Sequence, residues 1–248
     1  MNSPLDPDAS IRPFLGFKPD PLRYDVFDES PYEVHGLIAA LVPNGARVLE
    51  IGCGSGALGS KILSLDNTAY YQGVEPSGIR AKKALSRGLR CHTGYLSRVL
   101  KKELGDYDVV ILADVIEHLE NPSELLDLAK LYMKPDAMLI VSVPNIAHWS
   151  IRLSLLFGRF DYAPTGILDA THLRWFTKAS LLRYLHAASL RIVTCRAAPG
   201  LSLPDYAQAR KFLSLILSPH AQARVFGVIS NQWPEMFACQ FVVSCKLS

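Results

Sequence analysis

The chain has 248 residues, of which 49% are hydrophobic and 20% charged, with 16 Gly and 16 Pro, a composition that excludes collagen, long coiled coils and wholesale disorder. Twenty-six Lys and Arg against 23 Asp and Glu leave a net charge of +3, too even a balance for the basic face of a dedicated nucleic-acid binder. Five cysteines without a CxxC pair argue against a disulfide framework or a structural zinc site, and no apolar run approaches the ~18 residues of a membrane span.

Six of the 16 prolines fall in residues 1–31, where apolar periodicity is also absent, so 1–29 reads as an irregular N-terminal arm. Asp6 and Asp8 stand where a leader peptide would carry its apolar core, and the expectation is a cytoplasmic protein. Ser30-Pro31-Tyr32-Glu33 has the pattern of a capping box with Pro at the first helical position. The helix it opens carries Val34, Leu37, Ile38, Leu41 and Val42 and stops at Pro43-Asn44-Gly45.

From there strands and helices alternate. A strand over 47–51 leads through a glycine cluster into a helix ending near 65; a strand over 69–74 precedes a helix over 78–87. A weaker strand spans 89–93. Residues 107–112 are short and strongly apolar, as a strand buried on both faces should be. A helix over 123–133, with Ser123 as N-cap, is followed by a buried strand over 138–143 that Pro144 ends. Such alternation predicts a doubly wound, Rossmann-like α/β sheet, mostly parallel, with helices on both faces.

The C-terminal part breaks the rhythm. A helix over 147–157 places Trp149, Leu153, Leu156 and Phe157 on one face, an irregular stretch covers 158–176, and Thr177 caps the next helix. Strands near 191–196 and 237–246 bracket a helical insertion at about 204–230, so 30–248 reads as one domain. Phe212, Leu213, Leu215, Ile216, Leu217, Val225, Phe226, Val228 and Ile229 make that insertion apolar. Core packing is its default role; a lid, a homodimer face or a membrane-touching surface are the alternatives.

The first strand runs into Glu50-Ile51-Gly52-Cys53-Gly54-Ser55-Gly56. Glycines let a backbone turn sharply and approach a ligand, with a helix N-terminus facing the site. From Gly54 the segment also matches the dinucleotide fingerprint, and Glu75 ends the second strand 19 positions after Gly56, close to the ~20 expected of a ribose-binding carboxylate. An adenosine-type cofactor at the sheet's carboxyl edge follows, without saying which. Glu50, two residues before the first glycine, suits a ligand with a cationic amine. Cys53 reads as a small packing residue rather than a nucleophile.

This segment resembles motif I of the class I S-adenosylmethionine-dependent methyltransferases. Val74-Glu75-Pro76-Ser77 looks like their second motif, and Asp114-Val115-Ile116-Glu117-His118 with Asn121-Pro122 is similar to the segment after strand four of quinone O-methyltransferases. The resemblance covers about 30–197. It implies a seven-stranded sheet with an antiparallel last strand, and S-adenosyl-L-methionine as cofactor, leaving S-adenosyl-L-homocysteine. It places Gly52, Gly54 and Gly56 on the methionine part, Glu75 with Pro76 at the ribose, and the backbone of Asp114 or Val115 at the methyl end. Many relatives carry an Asp after strand three for the adenine; here Thr93-Gly94-Tyr95-Leu96 stands instead, which gives the adenine contact to backbone near Tyr95 and Leu96.

Methyl transfer to a hydroxyl needs the acceptor held in line and its proton removed, and histidine suits the base role near neutral pH. Asp114, Glu117 and His118, spaced i, i+3, i+4, would share one face of a helical turn. There they either hold Mg²⁺ or, the favoured reading, support the cofactor loop without a metal. Asp169 to Phe176 is the second constellation: His172 and Arg174 shape an acceptor pocket, or Asp169 and Arg174 form a structural clasp over Trp175 and Phe176. Asn145 and His148 are expected at the cleft mouth. The favoured function is methyl transfer to a small molecule or sugar, with His118, His172 and Arg174 as catalytic candidates and no nucleic acid involved. A nicotinamide-dependent oxidoreductase, or a binding protein that has lost catalysis, are the alternatives.

Overall fold

The computed structural model describes residues 20–25, 30–64, 68–201 and 206–248; most of the expected arm, the expected helix end near 65 and residues 204–205 at the start of the insertion lie outside them. In chain order the elements are α1 (Val34–Ala39), β1 (Ala46–Ile51), α2 (Ala57–Ser64), β2 (Thr68–Glu75), α3 (Gly78–Ser86), β3 (Cys91–Thr93), α4 (Lys101–Leu104), β4 (Tyr107–Ala113), α5 (Pro122–Lys130) and β5 (Met133–Pro144). They continue with α6 (Trp149–Leu156), α7 (Lys178–Ala187), β6 (Leu190–Ala198), α8 (Ala207–Leu213), α9 (Pro219–Gln232), α10 (Pro234–Phe237) and β7 (Gln240–Leu247). The seven strands form one sheet in the order β3-β2-β1-β4-β5-β7-β6. Pairs among β1 to β5 are parallel, and β7 runs antiparallel between β5 and β6.

Because side chains alternate along a strand, the apolar runs feed both faces. Leu49, Ile51, Val110, Leu112, Leu139 and Val141 pack on one side. Val48, Val109, Ile111, Ile140 and Val242 pack on the other. With both faces covered, the carboxyl edge of β1, β2 and β4 is left to build a site.

Three local expectations give way to longer-range bonds. The capping box at Ser30–Glu33 does not open α1, which begins at Val34; the Glu33 carboxylate instead accepts the N–H groups of Gly200 and Leu201, at 3.0 and 2.8 Å. Ser123 is not an N-cap: α5 starts at Pro122, the Ser123 hydroxyl pairs with that of Tyr184 at 2.7 Å, and Met133 already belongs to β5. The default core role of the insertion is also corrected, since Phe212, Leu215 and Ile216 are 70%, 79% and 73% exposed. The insertion is anchored instead by the buried Tyr206, whose hydroxyl sits 2.9 Å from His148 Nε2 and accepts the Trp149 indole N–H. Leu156 at the end of α6 and Phe157 just after it are exposed, and Ile151 is the residue that α6 buries.

Candidate active site

Three left-handed glycines, Gly52, Gly54 and Gly56, shape the turn after β1. Gly52 (φ +75°) lies so close to the end of β4 that a Cβ would stand 2.7 Å from Val115 Cγ2. Gly54 (φ +56°) has open space where its Cβ would be, leaving room beside the N-terminus of α2. The Glu75 carboxylate ties this loop to β2, accepting the Gly54 N–H on Oε2 at 2.8 Å and the Ser77 N–H on Oε1 at 2.9 Å, around the bend at Pro76. Glu50 is buried and accepts the Tyr71 hydroxyl at 2.6 Å; burial, opposed by that bond, pushes its carboxyl up to about 8. Cys53 packs as expected, its Sγ 3.7 Å from that of Cys91, and the bond to Cys91 together with burial pushes the thiol up, away from nucleophilic use. A Cβ on Gly73 would meet the Cys53 sulfur at 2.6 Å. Past β3, Tyr95 is exposed whereas Leu96 belongs to the core.

The expected face of Asp114, Glu117 and His118 does not form. Asp114 adopts a left-handed backbone (φ +53°), a strained conformation of the kind found at functional sites. Its carboxylate accepts the Ser142 hydroxyl at 2.9 Å. Only one 3-10 turn, Ile116–His118, follows. Glu117 and His118 meet His172 instead: each of the three brings one carboxylate oxygen or ring nitrogen to within 4.8 Å of the others. The two imidazoles lie edge to face with centroids 4.8 Å apart. The backbone closes this junction, because Leu173 and Arg174 both donate their N–H to the Glu117 carbonyl.

Hydrogen bonds fix how both rings are used. His118 Nδ1 lies 3.2 Å from the Thr171 carbonyl and 3.1 Å from its hydroxyl oxygen, and His172 Nδ1 lies 3.1 Å from the Ile167 carbonyl. A carbonyl only accepts, so each Nδ1 carries the hydrogen and each Nε2 keeps its lone pair. Burial, reinforced by His172, pulls His118 down to about 4, and burial also lowers His172, so both are neutral at pH 7. Glu117 is buried, neither carboxyl oxygen has a hydrogen-bond partner among the described residues, and burial with the nearby Asp114 charge holds its carboxyl well above the usual range. The junction therefore sets a buried carboxyl group, with its acidity weakened by burial, beside two imidazole lone pairs. The same three groups form a donor set of the type divalent cations use, with His172 where Asp114 was expected.

Other expectations are redrawn. Asp169 and Arg174 do not clasp each other: Arg174 is exposed and donates to the Glu120 carbonyl. Asp169 is fully buried and holds Thr171, Arg23 and Tyr24. Phe176 is core, but Trp175 is 37% exposed and its ring meets those of Phe160 and Tyr162. Asn145 and His148 are not at a cleft mouth; both are fully buried, bonded to the Ala238 carbonyl and to Tyr206. Arg23 and Tyr24 were not legible as site residues, because nothing in their neighbourhood in sequence signals Asp169.

A family model for a methyltransferase domain matches residues 27–194. The chain belongs to that family. It is an S-adenosylmethionine-dependent methyltransferase, and the oxidoreductase alternative is set aside. The ubiquinone biosynthesis O-methyltransferase of Burkholderia thailandensis is 24% identical over 196 residues, covering 76% of this chain and 78% of the relative. That of Maricaulis maris is 27% identical over 158 residues, 61% of this chain and 60% of the relative. Among solved structures, a methyltransferase of Thiobacillus denitrificans in complex with S-adenosyl-L-homocysteine matches with a TM-score of 0.53 at 15% identity, over 86% of this chain and 90% of that one. A Thermotoga maritima methyltransferase, described as a possible histamine N-methyltransferase, gives 0.54 at 16% identity, over 86% and 87%. These likenesses show the fold. No described helix is long and apolar enough to cross a membrane.

Proposed function

We propose that this methyltransferase methylates an oxygen of a small-molecule acceptor, with His118 taking the hydroxyl proton. The observation that carries it is the junction of Glu117, His118 and His172 at the carboxyl end of β4, next to Val115, which touches the glycine loop at Gly52. His118 is neutral, its Nδ1 is anchored, and its Nε2 lone pair is free to receive a proton as an acceptor oxygen gains a methyl group. The Glu117 carboxyl, whose oxygens have no hydrogen-bond partner among the described residues, is the group this reading assigns to a second polar atom of the acceptor, and His172 borders the pair. A buried trio of this size suits a small molecule better than a macromolecule, and the names of the low-identity relatives point to a phenol of quinone type.

The chain's own residues fit the cofactor. Gly54 leaves open space for its methionine part in a turn that Gly52 and Gly56 close against Val115 and Leu89, and Glu75, which ties that turn to β2, is the carboxylate this reading assigns to the ribose. This reading assigns the amine to Glu50, the methyl end to the backbone at Asp114 and Val115, and the adenine to that of Tyr95 and Leu96. Bound there, S-adenosylmethionine supplies an electrophilic methyl group on a sulfonium. A homodimer through α8 and α9 fits their exposed apolar residues.

Calorimetric titration with S-adenosyl-L-homocysteine, followed by a transfer assay with radiolabelled S-adenosylmethionine over phenols, catechols and sugars, tests this. Micromolar product binding and a labelled ether are expected. Label found only on nitrogen acceptors overturns the assignment to oxygen, and absent binding returns the chain to a fold that has lost catalysis.

A further inference from the structure

Residues 20–25, the described part of the N-terminal arm, bridge the two halves of the cleft. On the cofactor side the Pro21 carbonyl accepts from Arg80 of α3 at 2.8 Å. Asp25 pairs with Arg87 at 2.8 Å and Lys83 at 3.6 Å, and the nearby Ser55 hydroxyl in the glycine loop helps hold its carboxyl below the usual range. Arg87 itself donates to the Ser55 carbonyl at 2.7 Å. On the acceptor side, Arg23 donates from Nε and a terminal nitrogen to Asp169 Oδ2 at 3.3 and 3.2 Å, and the Tyr24 hydroxyl donates to the same oxygen at 2.7 Å. The Gly166 N–H closes onto the Tyr24 oxygen at 3.0 Å.

The other Asp169 oxygen continues the chain. Oδ1 accepts both the N–H and the hydroxyl of Thr171, at 2.9 and 2.7 Å, and Thr171 is the residue on which His118 Nδ1 rests. Burial pushes the Asp169 carboxyl up, but the bonds from Thr171 and Tyr24 and the Arg23 charge outweigh it, so it stays ionised. Its side chain is 0% exposed and that of Arg23 8%. A buried carboxylate that loses its cation is left uncompensated; it protonates or rotates, and then Thr171 loses its anchor.

We propose that residues 20–25 act as a clasp between the cofactor loop and the acceptor junction, in which Arg23 and Tyr24 are positioning residues that set the His118 ring through Asp169 and Thr171. The clasp rests on the reading of His118 as the proton acceptor. It adds to it that the competent ring geometry is supplied through Asp169 by an arginine 146 positions before that carboxylate. Arg23 offers a planar two-nitrogen fork, which Lys does not reproduce.

The test uses the full chain with Arg23→Ala, Arg23→Lys and Tyr24→Phe. Long-range ¹H–¹⁵N NMR of the histidine rings at pH 7.5 reads the His118 tautomer without knowledge of the acceptor. In the parent protein Nδ1 carries the hydrogen. In Arg23→Ala and Tyr24→Phe the expectation is a mixture of tautomers, a kcat lower by about ten- to a hundredfold, and S-adenosyl-L-homocysteine affinity changed by less than about twofold. Arg23→Lys is expected to fall between. Tyr24→Phe removes one oxygen and keeps the experiment informative should Arg23→Ala not fold. A single unchanged His118 tautomer in folded Tyr24→Phe, with unchanged kcat, overturns the clasp. If His118→Ala keeps full turnover, the proton-acceptor reading fails, whereas the ring spectra still report whether the clasp sets the ring.

Discussion

The cofactor side and the acceptor side of this cleft are built over different distances along the chain. On the cofactor side, strand, turn and helix follow one another, and the bond that ties the loop, Gly54 to Glu75, spans 21 positions between neighbouring strands. On the acceptor side, His118 is oriented by Thr171, 53 positions away, and Asp169 by Arg23 and Tyr24, farther still. The first side is set by backbone geometry that many sequences satisfy. The second depends on individual side chains meeting between loops, and on the proposed function acceptor choice would reside there.

If the two sides divide binding from chemistry, substitutions should separate them. His118→Ala is expected to lower kcat by roughly a hundredfold or more, with S-adenosyl-L-homocysteine affinity nearly unchanged by calorimetry; a parallel loss of affinity would erase the division. Glu75→Ala should do the converse, weakening product binding by about 1–3 kcal/mol, since it removes a charged acceptor and strands two N–H groups. Unchanged affinity in a folded variant removes Glu75 from the ribose.

Acidity sharpens the same contrast. His118 must be neutral to accept a proton, and burial pulls it down to about 4. The acid limb of kcat/KM is therefore expected near pH 4, with a plateau through 6.5; a limb at 6.5 would mean an unperturbed, solvated ring. The unfolded chain binds that proton at about 6.5, so the ring's contribution to stability, complete above that value, is lost as pH falls toward 4, and Tm should decline over this window. On the cofactor side Glu50, pushed up to about 8 by burial, is largely protonated at pH 7. A cationic amine placed beside it should expel a fraction of a proton, read as a dependence of binding enthalpy on buffer ionisation heat at pH 7. No such dependence would move the amine elsewhere. The smallest effect is the absence of one: turnover is expected to survive EDTA. Loss restored by Mg²⁺ would turn the Glu117, His118 and His172 junction from an acid–base site into a metal centre.

Legibility in the sequence followed the same divide. The glycine loop, Glu75 and the parallel strands repeat a local pattern, and they stand where periodicity and spacing put them. Helical spacing misplaced Asp114, because a left-handed residue and a single 3-10 turn replaced the helix it assumed. The capping box at Ser30 failed for a related reason: Glu33 found backbone donors at Gly200 and Leu201, and a buried long-range bond outweighed a solvated local one. His172 was singled out, but its meeting with His118 depends on how an irregular loop folds back, which no period encodes.

The Cys53 sulfur lies in the space that the missing side chain of Gly73 leaves open, with one position in the cofactor loop and the other in the middle of β2. The two residues occupy one shared volume. A side chain added at 73 must therefore displace the Cys53 sulfur, so the two positions are expected to change as a pair rather than one at a time.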